Sequence, residues 1–384
     1  MSLLPLVLAG LMALSGPIPA APSDSASFAD SIPSLEARYS AYVVAESQDL
    51  VHRIEVGPQG ARVVNTVAIE ELLVDTDGPH GVAVDPSGRY AYVSTGHGVW
   101  NGNLWKLEVG PDTAVAGPLA LGQFPATVGV DPQGLFGYVA NFNLHGEMVP
   151  SSISVVYLPD FVEVARTETC TMPHGSRVSP DGTRHYSVCM MDDQLVELET
   201  RGFTVHRRFH LDPEDPRPLP AHQVTGTHSH HEAGHDPVCS PTWATPSPDG
   251  GRIYVACNAA DRILEIDTED WSLLRTIETG RGPYNLEVTP DDSVLVVTLK
   301  QGDGVQFFDV GTGGMLAQVA TSSRVPHGVA ISPDSRLAFI SVEGIGTEPG
   351  RVDVFDLFTL ERIHSLEVGL QAAGIAVLGV EPIS

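Results

Sequence analysis

The chain has 384 residues, 42% of them hydrophobic, which is enough to build a large core. Its 38 glycines and 30 prolines, with only 7% aromatic residues, favour a turn-rich all-β protein over a helical one. A formal net charge of −27 excludes nucleic acid and anionic lipid as partners, because no basic cluster longer than "HRRFH" (206–210) interrupts it.

The first 21 residues carry an apolar run from Leu3 to Leu14, then small residues and proline. They read as a secretory signal peptide cut near Ala20–Ala21, although no Lys or Arg precedes the run. Residues 22–38 read as a spacer. No other stretch is apolar for long enough to span a bilayer, and no cysteine follows the run to carry a lipid. The expected location is periplasmic or secreted.

From residue 39 onward the chain repeats itself. "VAVDPSGRYAYVST" (82–95), "VGVDPQGLFGYVAN" (128–141) and "SRVSPDGTRHYSVC" (176–189) align on a turn proline. "ATPSPDGGRIYVAC" (244–257), "LEVTPDDSVLVVTL" (286–299) and "VAISPDSRLAFISV" (329–342) continue the series. Each copy predicts a short apolar strand, a tight turn and an alternating strand, with two further strands before the next copy. The spacing of about 45 residues is the length of a four-stranded propeller blade. The N-terminal "SAYVVAES", "LVHRIEV" and "ARVVNTVAI" lack a first strand, and the C-terminal "AAGIAVLGV" is a first strand with nothing after it. Together they predict a seventh blade that closes the ring and leaves no free sheet edge. The expected fold is therefore an all-β, seven-bladed β-propeller of four-stranded antiparallel blades over residues 39–384, with a histidine-rich insertion at 211–239.

"DPSGRYAYVST", "DPQGLFGYVAN" and "SPDGGRIYVACNAADRILEID" resemble the repeats of the YVTN-family β-propellers, within the wider group that includes the propeller of haem-d1 nitrite reductase. The resemblance covers roughly residues 40–380 and implies the fold; this architecture hosts catalysts, binders and scaffolds alike.

Three copies open on Pro-His-Gly, which places His80, His174 and His327 at equivalent positions. The same position holds Ala126, Thr242, Tyr284 and Ala373 in the other blades. In a propeller this position faces the mouth of the central channel. His97 and His145, with Met148, follow second strands at the same rim. The insertion adds His222, His228, His230, His231 and His235, with Glu232. Ten of the 15 histidines thus fall in rim segments. Imidazole is the commonest metal-binding side chain, and mixed His and Met donors suit copper better than calcium or magnesium. The plainer reading is that each Pro-His-Gly caps a turn, its imidazole satisfying a loop carbonyl. Trp243 and Tyr284 read as packing or as a wall for an organic ligand. Glu46, Lys300 and Glu343 end second strands, with solvation at the surface as their default role.

Cys170 and Cys189, and Cys239 and Cys257, form two pairs at repeated spacing. In an exported protein they read as disulfides, each expected within its own blade, with thiolate ligation as the rival. The leading functional expectation is an exported propeller that binds a transition metal, copper, or a small ligand at a His-lined mouth, and that is open to a redox role. The alternatives are a metal-free binding module with a protein partner, a haem-d1-type propeller, and a lactonase-type propeller enzyme.

Overall fold

Every repeat folds around its proline turn. In the first, the Gly88 amide donates to the Asp85 carbonyl at 2.9 Å, while the Asp85 carboxylate accepts from the amides of Arg89 and Tyr90. Gly88 closes this turn with φ +68°, a conformation that costs glycine nothing. The computed structural model describes residues 35–71, 75–97, 102–223 and 236–383. The expected signal peptide and most of the spacer lie outside them, as do His228, His230, His231, Glu232 and His235 of the insertion.

The strands form seven separate antiparallel sheets, each built from one repeat. Six sheets run in simple chain order, over residues 79–120, 125–171, 173–219, 241–278, 283–320 and 326–367. The sheet of 173–219 gains a short fifth strand, Arg217–Leu219, from the start of the insertion. The seventh sheet joins the two ends of the chain. Strand Ala372–Pro382 pairs with Ala37–Ala45, with Val43 opposite Ile375 and Tyr39 opposite Val380. The chain is a seven-bladed β-propeller. Among the described residues no helix is long and apolar enough to cross a membrane.

Burial between blades follows from the period-two pattern of the second strands. Tyr42, Tyr92, Tyr138, Tyr186, Tyr254, Val296 and Phe339 occupy one repeated position and are all at least 97% buried. The preceding position is apolar in every blade but one: Ala41, Ala91, Gly137, Ile253, Leu295 and Ala338, with His185 as the exception. His185 is fully buried and stacks on Tyr138 of the neighbouring blade at 4.9 Å between ring centres. Among the described residues neither of its ring nitrogens has a hydrogen-bond partner. Burial pushes its pKa down to about 3.

Both expected disulfides are present, Cys170–Cys189 and Cys239–Cys257. One expectation needs correcting. Cys170 lies on Val162–Thr171, the outer strand of one blade, and Cys189 ends Arg184–Cys189, the second strand of the next. That bond therefore joins adjacent blades. The outer strand of 125–171 runs to two residues before Pro173, whereas that of 79–120 stops five before Pro125, and this extension carries Cys170 into it. Each bond closes a loop of 18 or 19 residues, worth roughly 3 kcal/mol in the chain-entropy account.

His185 makes stability depend on pH. The folded state keeps the ring neutral, whereas the unfolded chain protonates it below about pH 6.5, so its contribution is full at neutral pH and falls as pH drops. Between pH 7.5 and 5.0 this one group should cost about 2 kcal/mol. Urea unfolding of wild type and His185→Phe at both pH values should show that much less pH dependence in the variant. Identical pH dependence would contradict the assignment.

Candidate functional site

At the mouth of the channel each inner strand starts at a sharp corner. The residues before the inner strands, Gly78, Phe124, Met172, Ser240, Gly282, Val325 and Gln371, all have φ between +43° and +65°. For a β-branched residue such as Val325 this is a strained conformation. Six of the seven inner strands then begin with proline: Pro79, Pro125, Pro173, Pro241, Pro283 and Pro326. Proline is tolerated here because the inner strand is a sheet edge, where a missing N–H breaks no ladder bond. The corner and the proline together fix the next residue at the mouth.

Those seven residues are His80, Ala126, His174, Thr242, Tyr284, His327 and Ala373, large and small in turn except where Tyr284 and His327 adjoin. The four rings form a closed collar. Ring centres are 6.0 Å apart for His80–His174, 5.7 Å for His174–Tyr284, 4.8 Å for Tyr284–His327 and 5.3 Å for His327–His80. The small residues between them serve as acceptors. His80 Nδ1 donates to the Ala126 carbonyl at 2.8 Å, and His174 Nδ1 donates to the Thr242 carbonyl at 2.8 Å. His327 makes the same approach to Ala373 without closing to hydrogen-bond geometry. A carbonyl can only accept, so Nδ1 of His80 and His174 carries hydrogen and only Nε2 is left for the channel.

The glycine of each Pro-His-Gly makes this reach possible. A Cβ on Gly81 would lie 2.6 Å from the Ala126 carbonyl oxygen, and one on Gly175 would lie 2.4 Å from that of Thr242. On Gly328 it would be 3.0 Å from that of Ala373. The motif therefore brings neighbouring inner strands close enough for an imidazole to bridge them. The turn-capping expectation holds in part, since the histidine does satisfy a carbonyl, but across a blade boundary.

All three collar imidazoles are at least 93% buried. Burial, reinforced by the other imidazoles and Lys300, pushes His174 down to about 3 and holds His327 well below the ordinary histidine range. The Tyr284 hydroxyl faces His174 Nε2 at 3.3 Å. Lys300 Nζ lies 4.1 Å over the Tyr284 ring and pairs with Glu343 at 2.8 Å. Burial opposes its charge, but Tyr284, Glu343 and Glu46 hold its pKa above the ordinary lysine value. Glu46 is not a solvated surface group: it is 5% exposed and accepts from His97 Nε2 at 2.7 Å. Burial opposes its ionisation too, yet His80, His97 and Lys300 keep its carboxyl below the usual range.

His97 and His145 stand beside the collar. Phe124 separates the two groups, its ring 5.3 Å from that of His80, 4.9 Å from His97 and 5.6 Å from His145. Trp243 packs on His174 at 5.6 Å and under Arg177. Met148 is 54% exposed on the outer loop, and His222 is also exposed. Among the described residues no three His, Cys, Asp or Glu side chains form a ready metal cluster. The rings are gathered, but wider than coordination requires. A square of side about 5.5 Å has its centre about 3.9 Å from each ring centre, against about 3.2 Å for an imidazole on a 2.0 Å metal bond.

Two cavities adjoin these residues. A space of about 30 Å³ lies on the channel side of His80 and His327, lined also by Thr127, Trp243 and Asn285. A cleft of about 1170 Å³ opens on the outer rim beside His97, Phe124, His145 and Glu168.

No known protein family matches the chain, and no curated protein matches it in sequence. Solved structures do resemble it. Hydrazine synthase of Kuenenia stuttgartiensis has a TM-score of 0.62 at 18% identity, over 81% of this chain and 93% of that one. A functionally unknown protein of Desulfotomaculum acetoxidans scores 0.66 at 16% identity, over 88% and 99%. A Bacteroides uniformis protein to which 6-phosphogluconolactonase activity is ascribed scores 0.64 at 16% identity, over 88% and 99%. What they share with this chain is the fold.

The collar depends on close strand approach, and one methyl group tests it. Gly175→Ala places a Cβ 2.4 Å from one backbone oxygen and 2.5 Å from the Trp243 Cα. It should cost roughly 1–3 kcal/mol in urea unfolding. Gly379→Ala, which meets nothing within 4 Å, should stay within about 0.5 kcal/mol of wild type. Equal stability of the two variants would contradict the packing described.

Proposed function

We propose that this propeller works in an oxidising compartment, periplasmic or extracellular, and binds one transition-metal ion, copper, at the channel mouth through His80, His174 and His327. The observation that carries the reading is the shared orientation of His80 and His174, whose Nδ1 donates to a neighbouring blade and leaves Nε2 as the lone-pair nitrogen, with the His327 ring packed 5.3 Å from that of His80. A hydrogen bond from the second ring nitrogen to a carbonyl is the usual support for a metal-binding histidine. Suppressed proton affinity at His174 and His327 favours a metal over a proton at the same lone pair. The 30 Å³ cavity beside His80 and His327, which His174 does not line, suits an ion or a water rather than an organic cofactor.

Charge supports the same reading. Lys300 brings one positive charge near the collar, and Glu46 and Glu343 bring two negative ones, a balance that favours a cation. Imidazole donors beside a phenol suit copper over magnesium or calcium. Closing on the ion requires the rings to move inward by about 0.7 Å from the separations described above. The two disulfides support an oxidising compartment. A second reading, an organic ligand in the outer cleft without metal, draws support from that cleft's volume of about 1170 Å³.

Copper titration decides between them. The histidines of "HSHHEAGH" would scavenge copper, so all proteins should carry His228, His230, His231 and His235 as asparagine. His174→Ala should then weaken one tightly bound ion more than tenfold. Unchanged copper binding in a His80/His174/His327 triple alanine variant would overturn the reading.

A further inference from the structure

We infer a second, open metal site on the rim, formed by His97 and His145 and organised by the buried Glu46 carboxylate. This goes beyond the collar reading and does not rest on it. His145 Nε2 lies 3.1 Å from His97 Nδ1. Two imidazole nitrogens sharing one ion at 2.0–2.1 Å in tetrahedral geometry stand about 3.3 Å apart. Here the separation already fits, which distinguishes this pair from the wider collar.

The pair is also pre-oriented. The His97 amide donates to the Asp77 carbonyl at 2.8 Å, and its ring packs over Gly78, where a Cβ would come within 2.2 Å of it. Its Nε2 donates to Glu46 at 2.7 Å. Nδ1 is therefore the lone-pair nitrogen, turned outward to His145. A buried carboxylate behind a histidine in this way fixes the ring and raises its basicity as a ligand. In the metal-free protein His145 Nε2 donates its hydrogen to that lone pair. A bound ion takes the place of this hydrogen, and His145 then carries its hydrogen on Nδ1.

The chemistry indicates a borderline divalent ion, copper(II) or zinc(II), rather than calcium or magnesium. Two protein ligands leave further coordination positions open. They face the 1170 Å³ cleft, which Glu147, Gln123 and Glu168 also line, so solvent or a small polar ligand can complete the shell. The collar, by contrast, is closed in by its own rings.

Copper(II) titration with electron paramagnetic resonance tests the inference in the full chain with the four insertion histidines replaced by asparagine. His145→Ala and His97→Gln should each abolish one equivalent whose spectrum shows two coordinated nitrogens. Glu46→Gln should keep that spectrum and weaken the equivalent by about 10–100-fold. If the collar also binds, His174→Ala removes a different equivalent and leaves this one. If only the collar reading fails, one equivalent remains in wild type and disappears in His145→Ala. Unchanged stoichiometry and spectrum in both His145→Ala and His97→Gln would overturn the rim site.

Discussion

Inner strands of neighbouring blades run side by side but belong to separate sheets, so the carbonyls facing across each blade boundary have no ladder partner. Buried carbonyls must still be satisfied, and the protein supplies the donors from side chains. Ala126 accepts from His80 and Thr242 from His174. The carbonyl of His174 accepts from the Thr127 hydroxyl, that of Tyr284 from Thr242, that of His327 from Thr298 and that of Ala373 from Ser341. This belt fixes where the inner strands stand relative to one another, and with them every residue at the mouth.

The belt also explains the Pro-His-Gly motif as one physical unit. Proline occupies a strand start that has no ladder bond to lose. Histidine spans the boundary with one nitrogen and offers the other to the channel. Glycine removes the Cβ that would strike the accepting carbonyl. Each of the three copies is followed, one blade on, by a residue no larger than threonine: Ala126, Thr242 or Ala373. Tyr284, whose blade lacks the motif, completes the ring of aromatic side chains between His174 and His327.

Periodic features were legible in the sequence because they depend on local pattern. The proline turns, the alternating second strands and the incomplete terminal repeats sufficed for seven blades and for ring closure. The cysteine pairing followed from the similar spacing of the two pairs, 19 and 18 residues, but the blade that holds Cys170 depends on where an outer strand ends, which no repeat signal marks. Glu46, Lys300 and Glu343 read as solvated because their burial comes from blades distant in sequence. Phe124, which divides the collar from the rim pair, sits in a corner that looks like an ordinary loop. His185 gave no signal beyond its place in a position otherwise apolar, and that contrast was available in the aligned repeats.

The central claim is that blade-to-blade hydrogen bonds leave Nε2 of the collar histidines as the groups facing the channel. Long-range nitrogen–proton correlation spectra of uniformly ¹⁵N-labelled, metal-free protein at pH 7.5 report the tautomer of each imidazole directly. The account predicts that His80 and His174 carry hydrogen on Nδ1 and have an unprotonated Nε2, with each resonance assigned by its loss in the corresponding alanine variant. Hydrogen on Nε2 with a bare Nδ1 at either residue would contradict it, because the Ala126 and Thr242 carbonyls would then face a second acceptor.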